Sequence, residues 1–330
     1  MSGAALDRLL AVLLAIQLAS GLLTLRSGMP ATAPLFWLHG LVGGALLVAS
    51  IAKLRRSIGQ AVRHRRWRRL VLGALLSLLV AAALAGGFAW VASGRIWSIG
   101  PWTILTLHVW AAVAIVPILA VHLLPRRWWL LRPRPAAGLM SRRTFLAIGG
   151  VLALGAVAWG AANLLDAAQG GVRRFTGSRW LPEGGIPPPT TFYGEGVPSI
   201  DVAAWRLRVS GRVASPLVLD LQALADLGMT ERDAVLDCTS GWALRTTWRG
   251  TPLNAILDAA GGDSDAPHVR LRSVTGWSVS LERNELDDAI LATHVAGAPL
   301  PAANGAPCRL VAPDRRGLDW IKWVDSIEVV

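Results

Sequence analysis

Cysteine is scarce in this sequence, and acidic residues are scarce in its apolar runs; both limit what the chain can be. There are two cysteines among 330 residues, so at most one disulfide can form. The apolar runs before residue 166 hold no paired acidic residues and show no broken helices, which disfavours a transporter-like bundle. What the sequence does have is apolar residues, 53% of the total, concentrated in its first half.

Five apolar stretches are long enough to cross a membrane, since a span takes roughly 20 residues. They lie at about 6–25, 33–52, 70–92, 102–124 and 144–165. The net charge of +12 is concentrated in the loops after the second and fourth stretches. Positive loops stay cytoplasmic, so the N-terminus is expected inside and residues 166–330 outside. This placement favours membrane lipid, and not nucleic acid, as the neighbour of the basic residues.

The run S-R-R-T-F-L at 141–146 resembles a twin-arginine export motif. The alternative is two positive-inside arginines beside a helix. The twin-arginine route carries folded cargo, which suits a domain whose bulky cofactor is inserted before export. No A-x-A-like site closely follows the apolar run, so we expect the fifth span to remain as an anchor in a bacterial inner membrane.

Histidines lie inside the apolar stretches, where ionisable side chains are costly and are candidates for function. His39 and His108 each lie about six residues into a span from its outer end. Two imidazoles at one depth can supply both axial ligands of a haem. The sequence therefore predicts one haem b on the outer side. The alternative is a hydrogen-bonded polar residue between helices, or a quinone contact.

A second, inner haem stays open as an alternative. His122 follows His108 by nearly four turns, which places it on the same helix face about 21 Å away. Its only remaining partner in the sequence is His64, which is otherwise a solvated residue of a basic loop. The glycine pairs 43–44 and 86–87 either make room for a macrocycle or let helices approach closely.

The chain after residue 166 has the pattern of a soluble mixed α+β domain behind a linker. Residues 167–200 are rich in glycine and proline, as in an extended tether and domain entry. Short runs bounded by turn residues predict strands at 205–209, 217–219, 269–274, 277–281 and 308–311. Helical pieces are expected near 221–227, 252–260 and 284–291.

Four motifs carry a family resemblance: D-C-T-S-G-W at 237–242, W-R-G-T-P-L at 248–253, N-G-A-P-C-R at 304–309 and W-I-K-W at 320–323. Their order and spacing resemble the molybdopterin domain of the sulfite oxidase superfamily, over about residues 190–330. The resemblance implies Mo-molybdopterin as cofactor, with the Cys238 thiolate as the catalytic metal ligand. A thiolate is the soft ligand that suits such a redox metal. Cys308 is expected to be a small buried residue.

The resemblance also implies the residues that hold the pterin. Arg309 can grip its phosphate with two parallel hydrogen bonds, and Lys322 can act as a point charge. Trp320 and Ile321 contribute backbone groups beside them. Tyr193, the only tyrosine, bonds the pterin or lines the site.

Within the superfamily, details favour the branch of periplasmic protein-methionine-sulfoxide reductases. T-F-Y at 191–193 resembles an N-F-Y entry segment, and Thr275 and Asn304 match that branch. Thr190 and Gly194 depart from it, since asparagine and glutamate stand there in the reductases. Thr190, Tyr193, Thr275 and Asn304 are therefore candidate cofactor-binding residues.

Some charged residues keep two interpretations. Asp237 either orients its neighbour Cys238 or belongs to a solvated loop. Four arginines either attract an oxyanion or are solvated, with solvation favoured for most: Arg245, Arg249, Arg315 and Arg316.

The predicted fold is a membrane all-α bundle of five spans plus a soluble mixed α+β sulfite-oxidase-type molybdopterin domain. Residues 1–130 form a four-helix haem domain, 131–166 the motif and fifth span, 167–200 the linker and 201–330 the molybdopterin domain. The predicted function is oxygen-atom transfer with a small-molecule or protein-borne oxo substrate, coupled through haem b to the quinone pool. Reduction of an S-oxide is favoured. The alternatives are sulfite-type oxidation that feeds quinone, and a non-catalytic haem electron-transfer or binding module.

Overall fold

A computed structural model of the protein describes residues 1–64, 67–123, 141–191 and 195–330, with the side chains of 58–64, 67–70 and 123 excepted. The chain divides into two compact units. The first contains Met1–Thr24 and Pro30–Arg179, and the second contains Leu25–Met29 and Trp180–Val330.

Helices make up most of the first unit. Five of its helices are long and apolar enough to cross a membrane, as the apolar runs predicted. They are α1 (Gly3–Thr24), α2 (Ala33–His64), α3 (Trp67–Ala92), α4 (Ile104–Leu123) and α5 (Arg142–Ala168). A small hairpin of β1 (Ser98–Ile99) and β2 (Trp102–Thr103) precedes α4.

Helix α2 packs against α1 and α5, and helix α3 packs against α4 and α5. A Cβ added to Gly44 would lie 2.1 Å from the carbonyl oxygen of Gly155, so α2 and α5 touch backbone to backbone there. The fifth helix, expected as an anchor beside a four-helix bundle, is thus packed into the helical unit. Its first residue is preceded by Ser141, whose hydroxyl accepts a hydrogen bond from the Thr144 N–H at 3.3 Å. This N-cap explains the serine of the S-R-R motif independently of export.

A buried ion network closes the end of α5. Asp166 is 3% exposed and accepts hydrogen bonds from Arg173 Nε at 2.7 Å and Arg179 Nη2 at 2.9 Å. Arg179 also donates to the carbonyl of Trp90 at 2.8 Å, at the end of α3. Residues 171–179, expected within an extended tether, are therefore held against the helices of this unit.

The second unit is built around two sheets. The six-stranded sheet has the order β11-β10-β7-β3, with β12 paired to β10 and β6 paired to β7; the five-stranded sheet has the order β5-β4-β13-β8-β9. The strands of the first are β3 (Arg179–Trp180), β6 (Thr230–Asp237), β7 (Trp242–Pro252), β10 (Ile290–Val295), β11 (Ala298–Pro299) and β12 (Arg309–Val311). Those of the second are β4 (Leu207–Gly211), β5 (Leu217–Leu219), β8 (His268–Ser273), β9 (Ser278–Glu282) and β13 (Val324–Val329).

Two short helices, α6 (Leu221–Asp226) and α7 (Leu253–Ala260), accompany these sheets and lie where helices were expected. The helix expected near 284–291 is wrong. The structure has a single 3-10 turn at Arg283–Glu285, and Ile290 already begins a buried strand. The second unit is nevertheless the mixed α and β domain that the sequence predicted.

The segment Leu25–Met29 belongs to this unit although α1 and α2 flank it in sequence. Ser27 forms an isolated antiparallel bridge with Arg315, and Arg26 Nε lies 3.8 Å from Asp319 Oδ1. A Cβ on Gly28 would lie 2.5 Å from the Asp314 carbonyl oxygen, so only glycine fits this approach.

Candidate functional site

Cys238 lies at the tip of the hairpin that joins β6 to β7. Its N–H donates to the Trp242 carbonyl at 2.8 Å, and its carbonyl accepts from the Gly241 N–H at 2.9 Å. Gly241 has a φ of 106°, which a residue with a side chain rarely adopts, so this tight turn requires glycine. The Cys238 side chain is buried, and its Sγ lies 3.0 Å from the Ser240 hydroxyl. The hairpin thus presents one thiol in a fixed place.

Asp237 is fully buried, which decides between the two interpretations of this residue. Its carboxylate accepts a hydrogen bond from Arg316 Nη2 at 3.1 Å, and the same nitrogen donates to the Cys238 carbonyl at 3.2 Å. Arg316 is also buried, so it is not a solvated surface arginine. Asp237 therefore belongs to the supports of Cys238.

Arg309, at the start of β12, is a buried cation held by neutral partners. It donates to the carbonyls of Asn304 at 3.1 Å and Trp320 at 2.9 Å, and it lies 5.1 Å from the ring centroid of Trp248. Its Nε has no hydrogen-bond partner among the described residues. Burial lowers the pKa of Arg309 to about 10, and a thiolate at Cys238 acts in the opposite direction.

Lys322 lies beside Arg309. Its ammonium donates to the backbone carbonyls of Thr190 at 2.6 Å and Ala303 at 2.7 Å. Burial, with repulsion from Arg309, lowers the pKa of Lys322 to about 8, while Cys238 and Glu195 raise it. Thr190 thus meets the candidate site through its backbone.

The remaining predicted residues surround this group unevenly. Asn304 is buried and donates from Nδ2 to the Pro187 carbonyl at 2.8 Å. Thr275 donates to Glu195 Oε1 at 2.9 Å, and the Glu195 carboxylate in turn raises the pKa of Lys322. Thr275 is therefore linked to Lys322 through Glu195. Ile321 is buried, and its carbonyl accepts from the Leu310 N–H at 2.9 Å. Tyr193 lies outside the described residues.

These side chains fit an anionic metal-pterin group. Within the described part of the chain, neither Arg309 nor Lys322 has a carboxylate within salt-bridge distance, although both are close enough to influence Cys238. The Trp320 indole N–H, like Arg309 Nε, is buried without a hydrogen-bond partner there. Buried cations and orphaned donors are costly unless something negative and hydrogen-bonding completes them. A phosphate beside the cations and a metal on the thiolate would do so.

The other cysteine has a different environment. Cys308 is fully buried and free, as expected, and its Sγ lies 3.6 Å from the Val324 carbonyl oxygen. Burial raises the pKa of this thiol, which keeps it protonated and unreactive.

In the helical unit the structure brings His39 and His108 together, with ring centroids 6.1 Å apart and an interplanar angle of 87°. Metal–imidazole bonds are about 2 Å long, so two rings on opposite sides of one metal have centroids roughly 6 Å apart. His108 Nδ1 lies 2.6 Å from the Ala83 carbonyl oxygen, which leaves Nε2 available for a metal. Gly87 lies beside the His108 ring, where a Cβ would come within 3.2 Å. The pair fits axial ligation of a haem.

His39 has closer polar neighbours. Its Nδ1 lies 2.9 Å from the Ser20 hydroxyl, and its Nε2 lies 3.0 Å from Gln17 Nε2. Binding a metal through Nε2 requires the Gln17 amide to move aside. His122 lies on α4, but the side chain of His64 is outside the described residues, so the second haem stays a prediction.

Sequence reasoning missed several residues that contact these candidates: Gln17, Ser20, Glu195 and Ser240. The signal for Ser240 was its place two residues after the cysteine. The resemblance places the glutamate of the reductases at Gly194, and Glu195 is the next residue in this chain. A one-residue shift between the two sequences would have pointed to Glu195. Gln17 and Ser20 were polar residues inside an apolar span, three positions apart on one helix face.

Known proteins resemble this chain mainly in its second unit. Residues 194–330 match the family described as oxidoreductase molybdopterin binding domain. The chain is 31% identical over 222 residues to the protein-methionine-sulfoxide reductase catalytic subunit MsrP of Gluconobacter oxydans, covering 58% of this chain and 70% of that protein. It is 33% identical over 152 residues to MsrP of Xanthomonas campestris, covering 40% of this chain and about half, 47%, of that relative. The solved sulfane dehydrogenase SoxCD from Paracoccus pantotrophus aligns at 24% identity with a TM-score of 0.39, over 41% of this chain and 40% of that chain.

Proposed function

We propose a function from the premise that this chain belongs to the molybdopterin-binding oxidoreductases of the sulfite oxidase superfamily. The enzyme reduces an S-oxide or similar oxo compound, free or protein-borne, and draws electrons from quinol through haem b. The observation that carries the proposal is the cluster of the Cys238 thiol, the buried Arg309 and the partly buried Lys322, in which neither cation has a carboxylate within salt-bridge distance among the described residues.

In this proposal each part of the cluster has a separate task. The Cys238 thiolate binds molybdenum, and the hairpin fixes where that thiolate lies. Arg309 and Lys322 bind the pterin phosphate with charge-assisted hydrogen bonds, which are stronger than neutral ones. The bound molybdenum-pterin supplies two-electron oxygen-atom exchange. An S-oxide that accepts two electrons and two protons leaves as the sulfide and water.

The helical unit supplies the electrons in this scheme. His39 and His108 would hold one haem b between α2 and α4, and the haem would supply one-electron transfer from quinol in the surrounding lipid. His108, held by the Ala83 carbonyl, is the ligand that is already oriented. His122 and His64 are the candidates for an inner haem.

We further propose that the five helices cross a bacterial inner membrane, with the N-terminus cytoplasmic and residues 180–330 periplasmic. The length and composition of the helices and the basic loops support this orientation. The S-R-R-T-F-L run supports export of the second unit as a folded domain.

Three measurements on the full-length, detergent-purified protein test this function. They are the molybdenum content, the visible spectrum of the reduced protein, and reoxidation of that spectrum by methionine sulfoxide and by N-oxides. We expect about one molybdenum per chain, a b-type spectrum, and reoxidation by S-oxide. Absence of molybdenum and tungsten from the matured protein contradicts the proposal, and haem reduction by sulfite indicates oxidation instead.

Two variants separate the centres. Cys238→Ser should abolish turnover and leave the b-type spectrum unchanged. His108→Ala should lose the haem signal and retain molybdenum, because the two centres have no ligand in common. Undiminished turnover in the first variant, or an unchanged spectrum in the second, contradicts the ligand assignment concerned.

A further inference from the structure

Arg316 and the next residue, Gly317, both form hydrogen bonds with the hairpin that carries Cys238. Its Nη2 donates to the Asp237 carboxylate and to the Cys238 carbonyl, at 3.1 and 3.2 Å. The next residue, Gly317, donates its N–H to the Asp237 carbonyl at 2.7 Å. A Cβ on Gly317 would lie 3.2 Å from that carbonyl oxygen and 3.3 Å from the Cys238 Cα. The segment thus lies directly against the backbone of residues 237 and 238.

These contacts leave the Cys238 backbone little freedom. Its N–H is bonded to Trp242 inside the hairpin, its carbonyl to Arg316, and the preceding carbonyl to Gly317. The part that remains adjustable is the side-chain torsion that places the sulfur. The position of the sulfur therefore depends on the Arg316 segment as well as on the hairpin.

The adjacent arginine makes a different set of contacts. Arg315 binds two carboxylates, Glu285 at 2.6 Å and Asp319 at 3.0 Å, and is partly exposed. Arg316 is paired with Asp237, and both side chains are almost completely buried, at 4% and 0% exposure. A buried ion pair is weak evidence for stability, because desolvation offsets its attraction, and its best-attested use is to specify geometry.

We propose that Arg316, together with Asp237, is a positioning residue for the metal thiolate of Cys238. The pair fixes the backbone that carries the sulfur. This inference rests on the proposed function, since it takes Cys238 to be the molybdenum ligand.

The test compares Arg316→Met with Arg315→Met in the full-length, matured protein. Arg315 is the matched control, because it lies in the same turn and loses its ion pairs with Glu285 and Asp319 without touching residues 237 and 238. The readouts are molybdenum content, the electron paramagnetic resonance signal of Mo(V), and kcat and KM for methionine sulfoxide. Supports of metal ligands typically contribute 10–100-fold, so we expect kcat of Arg316→Met to fall by about that factor with KM nearly unchanged. Its Mo(V) signal should shift, and that of Arg315→Met should not.

The double variant Asp237→Asn/Arg316→Met separates positioning from stability. It removes both buried charges, so it should accumulate even if the single variant does not. A shifted Mo(V) signal in the double variant supports positioning. A signal and kcat like those of the wild type overturn it. Wild-type protein that contains no molybdenum overturns the proposed function itself, and it is recognised before any variant is compared.

Discussion

Two buried arginines, one in each unit, differ in whether a carboxylate of the protein neutralises them. Arg179 in the helical unit lies 2.9 Å from the buried carboxylate of Asp166. Arg309 in the second unit donates to two backbone carbonyls and lies over the Trp248 ring, and among the described residues it has no carboxylate within salt-bridge distance. The first cation is neutralised by the protein and ties helices together. The second lacks a protein counter-ion in the described residues, as expected for a cation whose partner is a bound anion.

The largest effect should come from breaking the completed network. Asp166→Asn leaves the buried Arg179 and the partly buried Arg173 without their carboxylate, and loss of one partner of a buried pair costs about 3–5 kcal/mol. Denaturant unfolding of the detergent-solubilised protein measures this. Asp7→Asn is the control, since Asp7 forms a partly exposed pair with Lys53 and should cost under about 1 kcal/mol. Equal effects of the two substitutions would show that burial of Asp166 has no special role.

Arg309→Met should mainly weaken cofactor binding, whereas Asp166→Asn should mainly lower the free energy of unfolding. Among the described residues no carboxylate loses its partner, and only the Asn304 and Trp320 carbonyls lose a donor, so the cofactor-free protein should lose less stability than it does with Asp166→Asn. Hydrogen bonds to charged groups contribute about 1.5–3 kcal/mol each, so molybdopterin retention should fall at least about tenfold. Molybdenum per chain after extensive dilution measures this loss, with the exposed Arg270→Met as control. Strong destabilisation without loss of molybdenum would make Arg309 a structural cation like Arg179.

The pH dependence of stability sharpens the contrast. Burial lowers the pKa of Lys322 to about 8 in the folded protein, whereas the pKa of an unfolded lysine is about 10.4. Between these values the unfolded chain binds the extra proton, so the unfolding free energy of the cofactor-free protein should rise with pH there. Below about pH 8 both states are protonated and this contribution to the slope disappears. Lys322→Met should flatten the rise; an identical pH profile in this variant would contradict the assignment.

The smallest effect should come from the second cysteine. Cys308→Ala removes one sulfur from a fully buried position and should cost about 1 kcal/mol, a typical value for a point substitution. Molybdenum content, the haem spectrum and turnover should stay at wild-type values, in contrast to Cys238→Ser. Loss of molybdenum on changing Cys308 would mean that the two thiols have been assigned the wrong way round.

Sequence patterns predicted the elements whose environment is uniform. The five helices followed from apolar length alone, and strands such as β8 from alternation on a half-buried sheet. The central strands β6 and β7 were not recognised, because β7 is buried along much of both faces and its alternation is lost. The expected helix near 284–291 was wrong because Glu282 and Glu285 cap a single turn, after which Ile290 enters the sheet centre.

The candidate site divides in the same way. Cys238, Arg309 and Lys322 lie in short linear motifs, so the family resemblance pointed to them. Their supports come from distant parts of the chain: Arg316 and Asp237 are 79 residues apart, and Thr275 and Glu195 are 80 apart. No local pattern records such pairings, since they depend on how the sheets and loops bring the chain together.

The second unit is not one continuous stretch of polypeptide, because Leu25–Met29 pairs with its Arg315–Asp319 turn. A chain that begins at Trp180 would lack Ser27, which pairs with Arg315, and Gly28, which packs against the Asp314 carbonyl. An excised catalytic half should therefore regain its full thermal stability only when this early peptide is returned, as a fusion or in trans.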